Sequence, residues 1–492
     1  MAESWSKLVM PVVVLSCWVS VARGQQDTPP ASPAASSQAG GAQTPDQTQA
    51  PPSQTNPSSQ GEEQTPPTTE MPPLSSGITL EPGSEGSTLS YLLPSMTWTG
   101  FIDRLYTNSA EQSGTLTRST YLGNLVLQQV HRRTQINLDY TLGAQLYGKP
   151  SLTNSKLTPP SFATMQKLSA SGTVKRRRVE LTVADQFMYT PESSFGSAGF
   201  AGLQGFGGGS GGNMFGNVPQ INQLLSPTES LLNGSVSRYL DVALVEVRYS
   251  PTARSVFTAT ADAGVINYLS PGYVDARLTK FYGGYNYKLT SRDELSVIVL
   301  NSGYSFSGGN HDVINRGLLF GYGHQFSTRL AVNLVAGPSQ IEIAQSGATL
   351  SEPLFITSDS LKYRSRIANL DVHFTQYTSE GSGVSRGAKT DLLRATLERR
   401  VTRRWHGGFE FGHAFNQSLR HQQGTSQASV ETWESGLRLS REVTQRASLS
   451  FHYQYQYQRG AIANCTTLGC GTATARHLLG FGINWHGRPR RI

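Results

Sequence analysis

Long apolar runs are what this 492-residue chain most lacks. After the first two dozen residues, no stretch approaches the ~20 apolar residues a membrane-crossing helix requires, and the mean hydropathy is −0.33. A helical membrane protein is therefore excluded. A protein that crosses with strands is not, because such strands are apolar only at alternate positions. Charge is sparse at 15 % of residues, and cysteine nearly absent, with Cys17, Cys465 and Cys470 the full set. So few thiols, with no further ligands close by, give no zinc-type metal site, and no cofactor motif stands in for one. The glycines of residues 191–236 are not followed by the Gly-Lys-Ser/Thr of a phosphate loop. No nucleic-acid-binding motif accompanies the basic balance.

The one apolar run lies at the start. Lys7 precedes Leu8 to Val21, and Ala22 and Gly24 supply the small residues of a cleavage site. Residues 1–24 are read as a secretory signal cleaved before Gln25. Residues 25–95 are rich in Pro, Ser, Thr, Gln and Gly and carry seven acids (Asp27, Asp46, Glu62, Glu63, Glu70, Glu81 and Glu85) with no Lys or Arg. Such a tract cannot bury enough apolar surface to fold and is read as a disordered, acidic periplasmic arm. In an exported chain Cys465 and Cys470, within "CTTLGC", are expected to form a loop disulfide.

What the chain has in abundance is alternation. In "LSFHYQYQYQR" (449–459), Leu449, Phe451, Tyr453, Tyr455 and Tyr457 share one parity, and Ser450, His452, Gln454, Gln456 and Gln458 the other. A strand sends successive side chains to opposite faces, giving one aromatic and one hydrated face. Short polar breaks recur: "SPTAR" ends at Arg254, "KLTSR" at Arg292, "FSTR" at Arg329, "YRSR" at Arg366, "RVTR" at Arg403 and "VTQR" at Arg446. The intervals are 38, 37, 37, 37 and 43 residues. "QVHRRTQ" and "VKRRRVE" resemble earlier copies. A period of this length holds two strands, one tight turn and one longer loop. A β-propeller would need four short strands per repeat, which these long segments do not supply.

The alternation places strands at 96–107, 119–130, 134–147, 163–174, 178–190, 237–249, 253–267, 273–288, 293–304, 313–326, 329–345, 357–365, 368–378, 388–401, 404–417, 428–441, 447–459 and 474–486. The fold is thus expected to be all-β: a transmembrane antiparallel up-and-down barrel over residues 96–492. Eighteen strands is the count, and sixteen results if the first and the short 357–365 segment are left out. An even number leaves both termini in the periplasm. The Tyr face of 449–459 is assigned to lipid and its Gln face to the lumen.

In its alternating Tyr-rich strands, short turns, leader and aromatic last strand, the chain resembles bacterial outer-membrane barrel proteins of porin size. The resemblance implies an outer-membrane location, contact with lipid and the barrel-insertion machinery, and passive diffusion of small hydrophilic solutes without a cofactor or catalysis. It is consistent with homo-oligomers. One departure is the end of the chain, where "GFGINW" is followed by "HGRPRRI" instead of closing on an aromatic residue.

On this reading Asp139, Glu246, Arg248, Asp371, His373, Arg394, Glu410, Glu434, Arg438 and His452 line the pore. Loop 191–236, with Phe195, Phe200, Phe206 and Phe215 among its glycines, is the candidate constriction. With the leader at +1 and the arm at −7, the whole-chain charge of +8 leaves +14 on the barrel, which suggests a mild preference for anions. Many of those bases sit at the turns, away from any constriction. The alternative is a structural or adhesive barrel whose outer loops bind partners. A hydrolase is the weakest reading, since His413, His421 and His452 have no accompanying "GxSxG" context.

Overall fold

The computed structural model describes residues 90–107, 114–148, 161–190, 237–269, 273–307, 312–345, 348–379, 387–419, 429–461 and 473–491. Residues 1–89, the leader and all but the end of the 25–95 arm, lie outside them, as do Phe195, Phe200, Phe206, Phe215, His421, Cys465 and Cys470; Tyr91–Ser95 are strand, so the barrel begins before the arm's expected bound.

Eighteen long strands follow one another: β1 (Tyr91–Thr107), β2 (Gly114–Val130), β3 (Thr134–Tyr147), β4 (Phe162–Lys175), β5 (Val179–Thr190) and β6 (Arg238–Tyr249) come first. Next are β7 (Ser255–Tyr268), β8 (Ala276–Lys288), β9 (Asp293–Phe306), β10 (Asp312–Gln325), β11 (Leu330–Gln345) and β12 (Ala348–Arg364). The last six are β13 (Ala368–Ser379), β14 (Ala388–Arg400), β15 (Trp405–Ser418), β16 (Ser429–Glu442), β17 (Ala447–Ala461) and β18 (Thr474–His486). Each pairs antiparallel with its neighbours in sequence, and β1 pairs with β18 from Ser95↔His486 to Thr107↔Thr474, so the sheet closes. Closure removes the strand edges that lipid could not satisfy. All eighteen expected strands are present, most within two residues of their expected ends.

The repeated break has a simple mechanism. Thr252 Oγ1 accepts the backbone N–H groups of Arg254 and Ser255, and Thr290 Oγ1 those of Arg292 and Asp293. Ser327 does the same for Arg329 and Leu330, Thr402 for Arg404 and Trp405, and Thr444 for Arg446 and Ala447. The hydroxyl stands in for a missing strand partner at each tight turn. The arginine that follows is left exposed. Replacing Thr402 by alanine is expected to lower stability by only ~0.5–1.5 kcal/mol, the worth of such a bond, in a urea titration.

Four segments differ clearly from the expectation, and one is β2, which begins at Gly114 and not at 119. β1 starts at Tyr91, because Tyr91 and Leu93 bury against Val126 of β2. The chain end does not leave the barrel: a two-residue strand, β19 (Arg490–Arg491), pairs with Tyr91 and Leu92. The register shifts by one between Ser95↔His486 and Tyr91↔Arg491, which marks a bulge at residues 487–489. Finally, β12 is no short segment but spans 17 residues. Its upper part, with Glu352, Pro353 and Ser351, hides its alternation.

The barrel is inverted relative to a soluble protein. Exposed side chains on the outer face include Tyr121, Leu142, Val247, Phe257, Val299, Phe320, Leu437, Phe451, Phe481 and Trp485. Buried inward ones include Gln145, Lys167, Thr260, Gln456, Gln458 and Arg476. In β17 the Tyr parity is outward and the Gln parity inward, as its sequence indicates.

Candidate functional site: the barrel interior

The inner wall has two characters. From β13 through β18 to β4 it is polar and charged. His373 on β13 stands opposite Arg394 on β14, and Arg438 on β16 opposite His452 on β17. Arg394 Nε donates to Glu410 Oε1 at 2.9 Å, with a second bond from its Nη2. Glu434 accepts from Gln454, Arg438 Nη2 reaches Glu398 at 3.3 Å, and His373 Nε2 lies 2.6 Å from Asp371. Across the closing seam, Arg476 Nε donates to Asp103 Oδ1 at 2.8 Å. On β3, Asp139 accepts from Asn124 at 2.5 Å. Acid and base are interleaved around the wall, so the site presents oriented hydrogen-bonding groups more than a field of one sign.

All ten residues read from the sequence as lumen-facing lie on the inward parity. Seven of them, Asp371, His373, Arg394, Glu410, Glu434, Arg438 and His452, come together on the adjacent strands β13–β17. Glu246 and Arg248 form a separate pair on β6, 3.7 Å apart, and Asp139 stands alone on β3. Asp103, Arg118, Lys167, Lys280, Glu398 and Arg476 also face inward but were missed. The alternation of each strand would have placed them. His413 lies on the outward face, its ring 4.0 Å from that of Trp433, while His452 points in. The two cannot share an active site. Among the described residues, no group of three or more His, Cys, Asp or Glu could hold a metal ion.

From β5 to β12 the inner face mixes polar groups such as Thr260, Asp262, Lys280 and Glu294 with large apolar clusters. Ala184, Leu240, Val242, Leu244 and Ile266 form one cluster, and Tyr282, Ile298, Leu300, Leu319, Val335 and Ile356 another. A third joins Leu278, Tyr304, Phe306, Val313, Ile341 and Ile343 to Leu419, which follows β15 and is remote from them in the sheet order. The contact arises because the wall overlaps itself. Pairing of β12 with β13 stops at Thr357↔Gln376, yet β12 continues to Ala348 on β11 and β13 to Ser379 on β14. The loop-side ends of β13–β15 turn inward and lie against the inner face of β9–β11. Tyr304 Oη donates to the Thr378 carbonyl at 2.9 Å, and Asn315 Nδ2 to Thr378 Oγ1 at 2.5 Å. Gly387 opens β14 with a φ of 86°, and a Cβ there would sit 3.1 Å from Val313 and 3.3 Å from Leu419. The fold-over covers apolar surface that would otherwise face a wet interior, a gain of ~25 cal/mol per Å². It also narrows the interior at the loop end.

Breaking that contact is expected to widen the passage. Asn315→Ala combined with Tyr304→Phe removes both bonds to Thr378 while leaving the outer face intact. The variant is expected to conduct more than the wild type, or to flicker between two levels, in single-channel recordings.

The fold and its inverted polarity define a transmembrane β-barrel. No family model matches the sequence, and no curated protein matches it. Among solved structures it is similar to Pseudomonas aeruginosa OccK2 (OpdF), at 10% identity and a TM-score of 0.42, covering 80% of this chain and 98% of that one. The P. aeruginosa outer membrane protein opdK gives 11% and 0.41 over 80% and 99%. Acinetobacter baumannii OccAB2 gives 9% and 0.44 over 82% and 100%.

Proposed function

We propose that the protein is a porin-like channel of a bacterial outer membrane that passes small hydrophilic solutes by diffusion, with both termini in the periplasm. The observation that carries the reading is the closed eighteen-strand barrel with an apolar exterior and a hydrogen-bonding interior. A barrel of this strand number encloses a space wide enough for water. The polar wall of β13–β18 and β1–β4 gives a solute successive partners, and the fold-over of β13–β15 limits its size at the loop end. Loop 191–236 is the second restriction on this account, and Cys465 and Cys470 staple a loop.

The excess positive charge belongs to the exposed turn arginines, among them Arg254, Arg292, Arg329, Arg366 and Arg403, more than to the interleaved interior. Anion preference is therefore mild. No step of catalysis is assigned, and the solute needs no cofactor.

Swelling of proteoliposomes in sugars of graded size tests the proposal. Small sugars are expected to enter and large oligosaccharides to be excluded. Swelling rates equal to those of protein-free vesicles for every solute would contradict it.

A further inference from the structure

On the outer face, the ladder between β10 and β11 is interrupted. Pairing between them lapses between Gly317↔Ser339 and Phe320↔Ala336, at Gly337–Pro338. Proline has no N–H for the ladder. A second proline, Pro353, stands on the part of β12 that has no β13 partner. At this interruption lies a groove of about 720 Å³ running across β9, β10, β11 and β12.

Two rows of side chains cross that groove. The lower row is apolar: Val299 stands opposite Leu318, and Pro338 opposite Phe355. The row one step nearer the loops is polar: Asn301 is opposite Arg316, Arg316 opposite Gln340, and Gln340 opposite Pro353. Gln340 Nε2 also donates to Ser351 Oγ at 2.7 Å. Below the groove the outward residues Val297, Phe320 and Leu334 stay apolar and exposed. The groove thus straddles the upper boundary of the apolar band, where hydrocarbon gives way to headgroups.

Arg316 is the one base in the groove's lining, and its side chain is 58% exposed. Its Nη1 lies 2.9 Å from Glu342, and a guanidinium keeps further donors for another anion. Guanidinium suits phosphate oxygens in particular, because its planar donor fork matches them.

We propose that this groove holds one lipid of the surrounding membrane with an anionic phosphate headgroup that carries no compensating ammonium, its phosphate on Arg316 and one acyl chain against Val299, Leu318 and Pro338. The proposal requires that the barrel span a membrane but not that it conduct, so it and the channel reading can fail separately. Bound there, the lipid would cover the stretch of wall next to the unpaired part of β12. Pro353 protects that edge against strand addition, as prolines do on exposed edges. It does not fill the space beside it.

The test uses the full chain in phosphatidylcholine vesicles. Phe320→Trp places a fluorophore just below the groove without obstructing it, and Val297→Trp is the second reporter should the first variant not fold. Quenching of the added Trp is compared for a minor fraction of brominated phosphatidic acid, brominated phosphatidylcholine and brominated fatty acid. Phosphatidic acid is expected to be enriched about fivefold over phosphatidylcholine, the scale of one arginine acting on an anionic lipid. Adding Arg316→Ala should abolish the preference, and Arg316→Lys should keep part of it. Equal quenching by both phospholipids would show ordinary lipid contact and overturn the proposal. Preference for the fatty acid over phosphatidic acid, or a phosphatidic acid preference that survives Arg316→Ala, would overturn it too.

Discussion

Gly337→Val is expected to prevent the barrel from closing correctly. A Cβ at this position would lie 2.1 Å from the carbonyl oxygen of Leu318 and 2.8 Å from Leu319 Cα. Both are backbone atoms of the facing strand, so no side chain can swing aside to relieve the clash. β10 and β11 would have to separate where Pro338 already weakens their pairing. The expected cost is ~3 kcal/mol or more, at or beyond the upper end of ordinary overpacking. The assay is urea-driven unfolding in vesicles, with retarded folded bands on unheated gels as a second readout. Gly172→Ala on β4 is the matched control, because a Cβ there meets nothing within 4 Å. It should fold as the wild type does. Equal behaviour of the two variants would show that the close approach at Gly337 is not required.

Asp103→Ala should be nearly as damaging for a different reason. Asp103 and Arg476 sit on the two strands that close the sheet, with side chains only 6% and 10% exposed. Removing the acid leaves a guanidinium buried without its carboxylate, a loss of ~3–5 kcal/mol where such pairs have been broken. Replacing both partners by leucine removes the stranded charge and should recover most of that loss. Urea midpoints for Asp103→Ala, together with the cycle of Asp103→Leu, Arg476→Leu and the double leucine variant, decide the matter. Additive losses would mean that the pair does not hold the seam.

These two positions also show how far the sequence can be read. Strand positions were legible because most strands carry period-two alternation and most tight turns their own Ser or Thr cap, all within a few residues. The upper part of β12 was not, since Ser351, Glu352 and Pro353 look like loop and are ordered as strand only by β11. The Asp103–Arg476 pair spans 373 residues and exists only through closure. The two-sided character of the interior was hidden as well. In β6, Leu240, Val242 and Leu244 face inward while Val245 and Val247 face out, so an apolar strand of this kind does not declare which side is the lumen. The fold-over of β13–β15 depends on where the pairing of β12 with β13 stops. Alternation carries no information about that point.

For the barrel interior, parity placed the charged residues on the inner face, yet not their grouping. Seven of the ten meet on β13–β17 because those strands are consecutive and in register. Glu246 and Arg248 are separated from them by half the sheet.

Single-channel conductance of the full chain in planar bilayers tests the central claim most directly, with a deletion of residues 196–216 and the Asn315→Ala/Tyr304→Phe variant measured alongside. Steady, ohmic steps are expected for the wild type, with a slight preference for anions and larger steps when either restriction is removed. Correctly folded protein that stays silent in all three forms would contradict a channel, and would leave the barrel's outer loops as the place to look for its function.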